Sequence, residues 1–296
     1  MTKLNCPVCQ SETFILYKNQ KDINFKAVEG SYNWYQCKGC NSLSILPQVD
    51  NNELARYYGD SYTPFTNKFS TVDLNDKNNA ISIRIKLLQS YFPDGKFRFI
   101  DVGCGNGQML LILRQYFPQS ELYGIDFNIK FAEQNLKNLN IHLIEGDYGA
   151  VPEGLRFDVF SSSQFIEHIQ DPQAYVDLIK NASKEICYSI NDFPNIYSSS
   201  FKLFGRKWVH LDTPRHRILY SKKGIDILFN GFETVQRLPL GFSGAFLSSL
   251  ILVFNANIQK ILQKKLLRKL YFVLSKTLDK VLPKNDKVLY IHKLKK

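Results

Sequence analysis

The chain alternates short apolar runs with stretches in which apolar residues recur every three or four positions. Apolar runs bounded by charged or turn residues predict buried strands, and the longer spacing predicts amphipathic helices. From residue 97 onward the two patterns alternate, which is typical of a doubly wound α/β protein with a parallel sheet. Strands are predicted at seven places: 97–102, 121–126, 141–144, 157–161, 185–190, 232–236 and 287–292. An amphipathic helix is predicted over 77–92, before the first of these strands.

The pattern divides the chain into three segments. Residues 1–46 contain paired cysteines, and residues 47–76 form a connector rich in Asn, Asp and Pro. Residues 77–296 contain the alternating strands and helices, with a basic helical insertion at about 241–283 before the last strand. We therefore expect one large α/β domain preceded by a small satellite domain.

Four of the six cysteines form two Cys-x-x-Cys pairs, Cys6 with Cys9 and Cys37 with Cys40. The two-residue gap lets one turn aim two thiolates at a common ion, and two such turns complete a tetrahedral zinc site. Short predicted strands at 14–17 and 32–36 suit a zinc ribbon, whose small core needs such an ion. The N-terminus lacks a secretory signal, which favours structural zinc over disulfides. A redox dithiol and unrelated free thiols remain the alternatives.

The net charge of +11 arises entirely from residues 237–296, where 13 Lys and Arg face two Asp. Within this segment, an apolar run over 241–254 is followed by an apolar stripe with lysines beside it. The stripe consists of Ile258, Leu262, Leu266 and Leu270. This combination predicts binding to an anionic membrane surface through 241–283, and the alternative is an insertion packed on its own sheet or in a dimer.

Two features of the composition restrict the partners and the cellular location that we expect for the protein. The basic segment lacks the interleaved aromatics and arginines of RNA-reading surfaces, which disfavours nucleic acid as a partner. No apolar run reaches the roughly 18–20 residues that cross a bilayer. We therefore expect a cytoplasmic protein, peripheral at the inner face of the membrane.

The first predicted strand ends in Asp101 and continues into a turn with glycine at 103, 105 and 107, followed by a helical pattern. A strand, a glycine-rich turn and a helix bring backbone N–H groups close to a bound ligand, which predicts a nucleotide-like cofactor. The dinucleotide fingerprint requires G-x-G-x-x-G, whereas residue 108 is Gln.

Acidic residues also end the next two strands, Asp126 and Asp147, and the segment 165–172 reads FIEHIQDP. Together these motifs resemble the class I S-adenosylmethionine-dependent methyltransferases over about 80–295. The resemblance implies a Rossmann-like seven-stranded sheet and S-adenosylmethionine as the cofactor. It implies that the methionine part is held by Asp101 and the turn of Gly103, Cys104, Gly105 and Gly107. It implies ribose and adenine contacts from Asp126, Phe127, Asp147 and Tyr148, with Ser163 and Gln164 near the sulfonium.

The same resemblance makes His168 the first candidate for the base that deprotonates an acceptor hydroxyl. Glu167 beside it would orient the acceptor or ligate a divalent ion. The alternative is that Glu167 and His168 only order the loop. Quinone-type O-methyltransferases carry an extra acidic residue before this glutamate, where this chain has Ile166. That difference argues against metal-assisted catalysis of the quinone type.

A second polar cluster lies in the irregular stretch at 207–216, KWVHLDTPRH. It resembles a segment of methyltransferases that carry an N-terminal zinc ribbon and are associated with surface-glycan synthesis. The resemblance implies His210 and His216 as further candidate bases. Asp212 and Arg215 would bind a sugar, phosphate or carboxylate, with Trp208 stacking on a ring. The alternative is that Arg215 and His216 tie this loop to the sheet.

The expected function is O-methylation of a small-molecule acceptor, a sugar or lipid-linked glycan intermediate at the cytoplasmic membrane face. Three alternatives remain open from the sequence. The first is C-methylation of a nucleotide sugar, and the second is O-methylation of a quinone-type small molecule. The third is a module without catalytic activity that binds the cofactor or a partner.

Overall fold

The computed structural model contains a seven-stranded sheet and a smaller four-stranded sheet. It describes residues 4–27, 29–58, 69, 72–241, 244–254, 261, 264–283 and 285–296. The strands are β1 (Thr13–Gln20), β2 (Tyr32–Cys37), β3 (Leu43–Ile45), β4 (Arg98–Val102), β5 (Glu121–Asp126), β6 (His142–Glu145), β7 (Phe157–Ser163), β8 (Ser183–Pro194), β9 (Ile218–Leu219), β10 (Glu233–Leu240) and β11 (Lys287–Lys295).

The helices lie between these strands in the order that the sequence pattern predicts. They are α1 (Asn51–Ala55), α2 (Ala80–Tyr91), α3 (Gln108–Tyr116), α4 (Lys130–Asn135), α5 (Pro172–Asn181), α6 (Ser199–Phe204), α7 (Lys222–Leu228), α8 (Ala245–Val253) and α9 (Lys265–Val281). Several begin at a side-chain cap. The Asp171 carboxylate accepts from the Ala174 N–H at the start of α5, and the Ser221 hydroxyl accepts from the Gly224 N–H at the start of α7.

The large sheet has the strand order β10-β11-β8-β7-β4-β5-β6. The strands β8, β7, β4, β5 and β6 pair in parallel, and β11 lies antiparallel between β8 and β10. The strand order reverses beside β4, so a crevice forms there at the carboxyl ends of the strands. The predicted Rossmann-like seven-stranded α/β fold is confirmed.

Both faces of this sheet are buried. Phe99 and Ile100 are neighbours on β4, and each belongs to a different apolar cluster because successive side chains point to opposite faces. One cluster includes Tyr175 of α5, and the other includes Leu110 of α3. Burial on both faces explains why these strands read as continuous apolar runs.

The N-terminal strands form the small sheet, in the order β1-β2-β3-β9. Because β9 pairs with β3, this sheet joins the predicted segment 1–46 to the segment 77–296. The Trp34 indole N–H also donates to the Thr213 hydroxyl at 2.8 Å, and the Ser221 hydroxyl donates to the Cys40 carbonyl. Strand pairing and hydrogen bonds therefore hold the N-terminal strands against residues 213–221 of the larger segment.

The basic segment contributes α8 and α9, which contact each other. The hydroxyls of Ser248 and Tyr271 lie 2.7 Å apart, and Phe246 of α8 packs edge-on against Phe204 of α6. Two positions of the predicted apolar stripe, 258 and 262, lie outside the described residues. None of the helices in the described ranges is long and apolar enough to cross a membrane.

Candidate functional site

A cavity of about 1200 Å³ opens at the carboxyl ends of the parallel strands, where ligands bind in open α/β sheets. One wall is formed by the turns after β4, β5, β6 and β7. The opposite wall combines residues near the cysteines, α1 and the loop 209–217. The cavity exceeds the roughly 300–1,000 Å³ of ordinary ligand pockets, so it has room for a cofactor and a second molecule.

The glycine turn after β4 lets the chain pass close to the cavity. Gly103 and Gly105 line the cavity with φ of +76° and +54°, and Gly107 precedes α3 with φ of +82°. A Cβ on Gly103 would lie 2.6 Å from the ring of Phe165, so only glycine fits there. The N–H groups of Gly103 and Cys104 both donate to the Ile125 carbonyl, at 2.8 and 3.1 Å. The turn therefore lets a ligand approach the backbone closely. The N–H groups of Gly103 and Cys104 are already used in hydrogen bonds to Ile125.

Asp126 is held in place at the end of β5 by backbone donors. Its Oδ2 accepts from the Gly105 N–H at 2.9 Å, and its Oδ1 accepts from the Asn128 N–H at 3.1 Å. Burial raises the pKa of Asp126, and these N–H groups oppose the shift. A carboxylate has about four acceptor positions, so two remain for the hydroxyls of a ribose. Phe127 beside it lines the cavity with 65% of its surface exposed.

The ends of β6 and β7 place further predicted residues on the same wall. Asp147 accepts from the Gly149 N–H at 2.9 Å, and the Tyr148 hydroxyl donates to the Asp171 carbonyl at 3.1 Å. Ser163 and Gln164 line the cavity at the end of β7, where Gln164 has φ of +51°. The structure therefore brings together the predicted ribose, adenine and sulfonium residues.

Asp101 lies beneath the glycine turn, with only 5% of its surface exposed. Burial raises the pKa of Asp101 to about 7, although the nearby Arg84 guanidinium lowers it. Arg84 reaches from α2 to Asp192 at 2.8 Å and donates to the Ser161 hydroxyl at 3.0 Å. Asp101 thus belongs to a buried polar network that supports the turn, and the sequence analysis missed Arg84 and Asp192.

His168 and His216 line the acceptor side of the cavity, next to the buried Glu167. The Nδ1 of His168 lies 2.9 Å from the Arg215 carbonyl, and the Nδ1 of His216 lies 2.7 Å from the His210 carbonyl. A carbonyl oxygen only accepts, so each Nδ1 carries the proton and each Nε2 carries the lone pair. The Nε2 of His216 lies 3.9 Å from Oε1 of Glu167.

The histidines of the cavity are uncharged at neutral pH. Burial lowers the pKa of His168 to about 3, and the neighbouring His216 acts in the same direction. Burial likewise lowers the pKa of His210 to about 3 and lowers the pKa of His216. Each imidazole therefore has an uncharged nitrogen lone pair that can accept a hydrogen bond or bind a metal ion, but the same burial makes these histidines weak bases.

Two of the three predicted substrate residues are buried away from the cavity. Trp208 is fully buried and packs against Phe201, a position that does not support stacking on a ligand ring. Arg215 is also fully buried, and its guanidinium contacts Asp22 and Asp212, each at 2.7 Å. Burial alone would raise the pKa of Asp212, but Arg215 outweighs it, so the pKa is lowered. Asp212 lines the cavity, whereas the contacts of Arg215 fit the structural alternative.

The four paired cysteines come together. The sulfurs of Cys6 and Cys40 lie 3.7 Å apart, those of Cys9 and Cys37 lie 3.3 Å apart, and all four lie within 4.8 Å of one another. Zn–S bonds of about 2.3 Å in a tetrahedron separate the sulfurs by about 3.8 Å, so the arrangement suits zinc. The N–H groups of Val8 and Gly39 donate to the sulfurs of Cys6 and Cys37.

The structure also identifies cavity residues that the sequence analysis did not select. The Tyr58 hydroxyl lies 2.8 Å from Nδ1 of His168. Neutral amide side chains form much of the wall opposite the glycine turn: Gln10, Asn24, Gln48, Asn51 and Gln170. Gln170 lies within the segment 165–172 that carries the resemblance, whereas the other four amides are distant in sequence from the methyltransferase-like motifs, so no local pattern marks those four.

Comparison with known proteins agrees with this geometry. Residues 93–222 match the family described as "Methyltransferase domain". The chain is 31% identical over 149 residues to a "Ubiquinone biosynthesis O-methyltransferase" of Ruegeria sp. (strain TM1040), which covers 46% of this chain and 57% of the relative. The relative of the same name from Ruegeria pomeroyi is 31% identical over 144 residues, covering 44% and 55%.

Among solved structures, a coclaurine N-methyltransferase bound to N-methylheliamine and S-adenosylhomocysteine has a similar fold. The TM-score is 0.50 at 11% identity, and the match covers 85% of this chain and 80% of that protein. The matched residues 93–222 include the strands and turns that form one wall of the cavity. The chain spans little more than half the length of the two curated relatives.

Proposed function

We propose that this protein is an S-adenosylmethionine-dependent methyltransferase that methylates an oxygen atom of a small-molecule acceptor. The observation that carries the proposal is the position of Asp126. Its carboxylate is fixed by the Gly105 N–H on the cavity wall, beside the turn where the chain can approach a ligand. A carboxylate at this place is suited to a ribose diol.

In this proposal the sulfonium of the cofactor supplies an electrophilic methyl group. The protein holds the acceptor oxygen in line with that group, which can account for much of the acceleration. The acceptor enters opposite the glycine turn, where His168, His210 and His216 line the cavity. Their uncharged state at neutral pH leaves a lone pair that can accept a hydrogen bond from the acceptor hydroxyl and so orient its oxygen.

The amide-lined wall supports a polyhydroxylated acceptor, such as a sugar or a lipid-linked glycan intermediate. Amide groups donate and accept hydrogen bonds without carrying charge, which suits hydroxyl groups. The Nε2 atom of Gln48 is buried without a hydrogen-bond partner among the described residues, so it can donate to a ligand. A quinone-type phenol is the second candidate, and the names of the relatives favour it.

Transfer of a labelled methyl group from S-adenosylmethionine tests this proposal. Purified protein is incubated with two acceptor panels, one of nucleotide sugars and lipid-linked sugars and one of hydroxylated quinols. We expect a methyl ether from one panel only, and His168→Ala or His210→Ala should reduce its rate. Labelling of neither panel, together with no cofactor binding, would contradict the proposed activity.

We also propose that the four-cysteine cluster binds one structural zinc ion. Its support is the spacing of the four sulfurs and the small size of the sheet that they close. Elemental analysis should find one zinc per chain bound to this cluster, and a combined Cys37→Ser and Cys40→Ser variant should lack it. Zinc retained by that variant would contradict the assignment.

We further propose that α9 binds an anionic membrane surface. Several exposed residues of α9 are apolar, with Leu266 78% exposed, Leu270 53% and Val273 61%, and the basic residues Lys265 and Lys269 are exposed beside them. An apolar face with lysines beside it suits the headgroup region of a bilayer.

Sedimentation with vesicles that contain phosphatidylserine tests the membrane proposal. The wild type should sediment at low salt and be released at high salt, whereas Leu266→Glu with Leu270→Glu should remain in the supernatant. Gln115→Glu with Gln134→Glu adds the same charge at exposed positions of α3 and α4, and should sediment like the wild type. Equal sedimentation of both double variants would contradict a role for α9.

A further inference from the structure

The buried carboxylate of Glu167 is the least satisfied polar group on the acceptor side. The residue is fully buried, and neither Oε1 nor Oε2 has a hydrogen-bond partner among the described residues. Leaving a carboxylate in this state costs free energy unless a cation or a donor compensates it. The main chain of Glu167 is anchored, because its carbonyl accepts from the N–H groups of Arg217 and Ile218.

Two imidazoles face this carboxylate. His168 and His216 pack edge-on with ring centroids 4.6 Å apart, and one ligand atom from each lies within 4.8 Å of the Glu167 carboxylate. The two histidines come from different segments of the chain. The hydrogen bonds from the Arg217 and Ile218 N–H groups to Glu167 hold these segments together.

The orientation of both rings is the one found in metal-binding histidines. Each Nδ1–H is directed at a backbone carbonyl, that of Arg215 for His168 and that of His210 for His216. Such an outer hydrogen bond fixes the tautomer and leaves the Nε2 lone pair for an ion. Both rings line the cavity, whereas Glu167 lies behind them.

We propose that Glu167, His168 and His216 form a site for one first-row divalent metal ion, distinct from the four-cysteine cluster. Two imidazole nitrogens and one carboxylate with open positions suit ions such as Fe²⁺, Mn²⁺ or Zn²⁺, whereas Mg²⁺ prefers oxygen ligands. Ligand atoms around such an ion lie about 3.0–3.5 Å apart, so the observed 3.9 Å between Glu167 and His216 closes with a small side-chain shift.

The open positions of the ion would face the cavity, where the oxygen of an acceptor approaches. This role in methyl transfer rests on the proposed function, whereas the existence of the metal site does not. His210 also lines the cavity and is not one of the proposed ligands.

Titration of the zinc-loaded protein with Co²⁺ tests the site without measuring activity. We expect one Co²⁺ per chain, with visible absorption typical of nitrogen and oxygen ligands and without the charge-transfer absorption of thiolates. Glu167→Gln and His216→Ala should each weaken this binding at least about tenfold, since each removes a ligand. His142→Ala, a change at an exposed histidine on β6, should bind Co²⁺ like the wild type.

Circular dichroism and calorimetry with S-adenosylhomocysteine show whether each variant is folded. Wild type that binds no Co²⁺ outside the cysteines would overturn the site, as would folded Glu167→Gln with unchanged affinity. If the cofactor binds and Co²⁺ does not, only the metal inference fails. If Co²⁺ binds and the cofactor does not, the proposed function fails and the metal site stands.

Discussion

The carboxyl group of Asp101 lies among charged and polar side chains beneath the glycine turn. Burial raises its pKa from an ordinary value of 3.8 to about 7. Between these two values the folded protein holds a proton that the unfolded chain has lost. The contribution of Asp101 to stability therefore falls as the pH rises through this interval.

Replacing Asp101 with Asn should remove this dependence on pH. The stability of Asp101→Asn relative to wild type should rise between about pH 4 and pH 7 and then level off. The change is at most about 1.4 kcal/mol per pH unit. Urea unfolding of both proteins at four pH values measures it. A stability difference that stays constant from pH 4 to pH 8 would contradict the buried, protonated state of Asp101.

At the scale of elements, substitutions in the turn between β4 and α3 can distinguish an effect on protein stability from an effect on cofactor binding. Gly103 and Gly105 both have positive φ, and a side chain in that region costs about 1–2 kcal/mol. A Cβ at 103 would also meet the Phe165 ring at 2.6 Å, whereas a Cβ at 105 would meet none of the described residues within 4 Å. The two positions therefore form a matched pair.

We expect Gly105→Ala to lose about 1–2 kcal/mol of unfolding free energy, which is the cost of a side chain at positive φ. The variant should also bind S-adenosylhomocysteine more weakly. Gly103→Ala should lose a further 1–3 kcal/mol, roughly, because the side chain overpacks against Phe165. Chemical unfolding and calorimetry measure the two effects. Equal losses of stability in both variants would show that Phe165 does not restrict the turn.

The sequence predicted those elements whose residue pattern reflects burial. β5 begins and ends at the predicted residues, because an apolar strand buried on both faces leaves a continuous run. β8 was predicted to end at residue 190, but it continues to Pro194. Asn191 and Asp192 are polar and resemble loop residues in the sequence, yet both are fully buried. The hydroxyl of Ser162 donates to Asn191, and Arg84 pairs with Asp192.

The candidate site could likewise be predicted only in part, because the environment of each residue depends on side chains that the fold brings to it from elsewhere in the chain. Asp126 was predicted from its place at the end of a strand, and the resemblance to the class I methyltransferases added Asp147. The environment of Arg215 could not be predicted, because Asp22 lies 193 residues earlier in the chain. The contact of Tyr58 with His168, 110 residues later, could not be predicted for the same reason.

At the scale of the whole molecule, the cysteine strands and the cavity form one structure. Trp34 of β2 and Trp208 belong to the same buried cluster, where the small sheet meets the large domain. Pro7, which lies between Cys6 and Cys9, and Gln10, which follows Cys9, line the acceptor side of the cavity. If the four cysteines hold the zinc ion proposed above, its loss should disturb this junction and the acceptor wall, but not Asp126.

Tryptophan fluorescence reports on this junction, because the chain contains only two tryptophans and both lie there. We expect Cys37→Ser to lose zinc. Its tryptophan emission should shift to longer wavelength, because the apolar cluster around Trp34 and Trp208 becomes hydrated. Its affinity for S-adenosylhomocysteine should stay within about threefold of wild type, a difference of less than 1 kcal/mol. Cys187→Ser, the same change at a buried cysteine of β8, should keep zinc and emission. Unchanged emission in zinc-free Cys37→Ser would contradict the coupling.

Asp126 and the glycine turn are the residues that we propose to hold the cofactor. Calorimetric titration with S-adenosylhomocysteine measures this binding without any acceptor. We expect the wild type to bind one molecule per chain, and Asp126→Ala, folded by circular dichroism, to bind at least about tenfold more weakly, a loss of about 1.4 kcal/mol or more. Absence of binding by the wild type, or equal affinity in both proteins, would contradict the account.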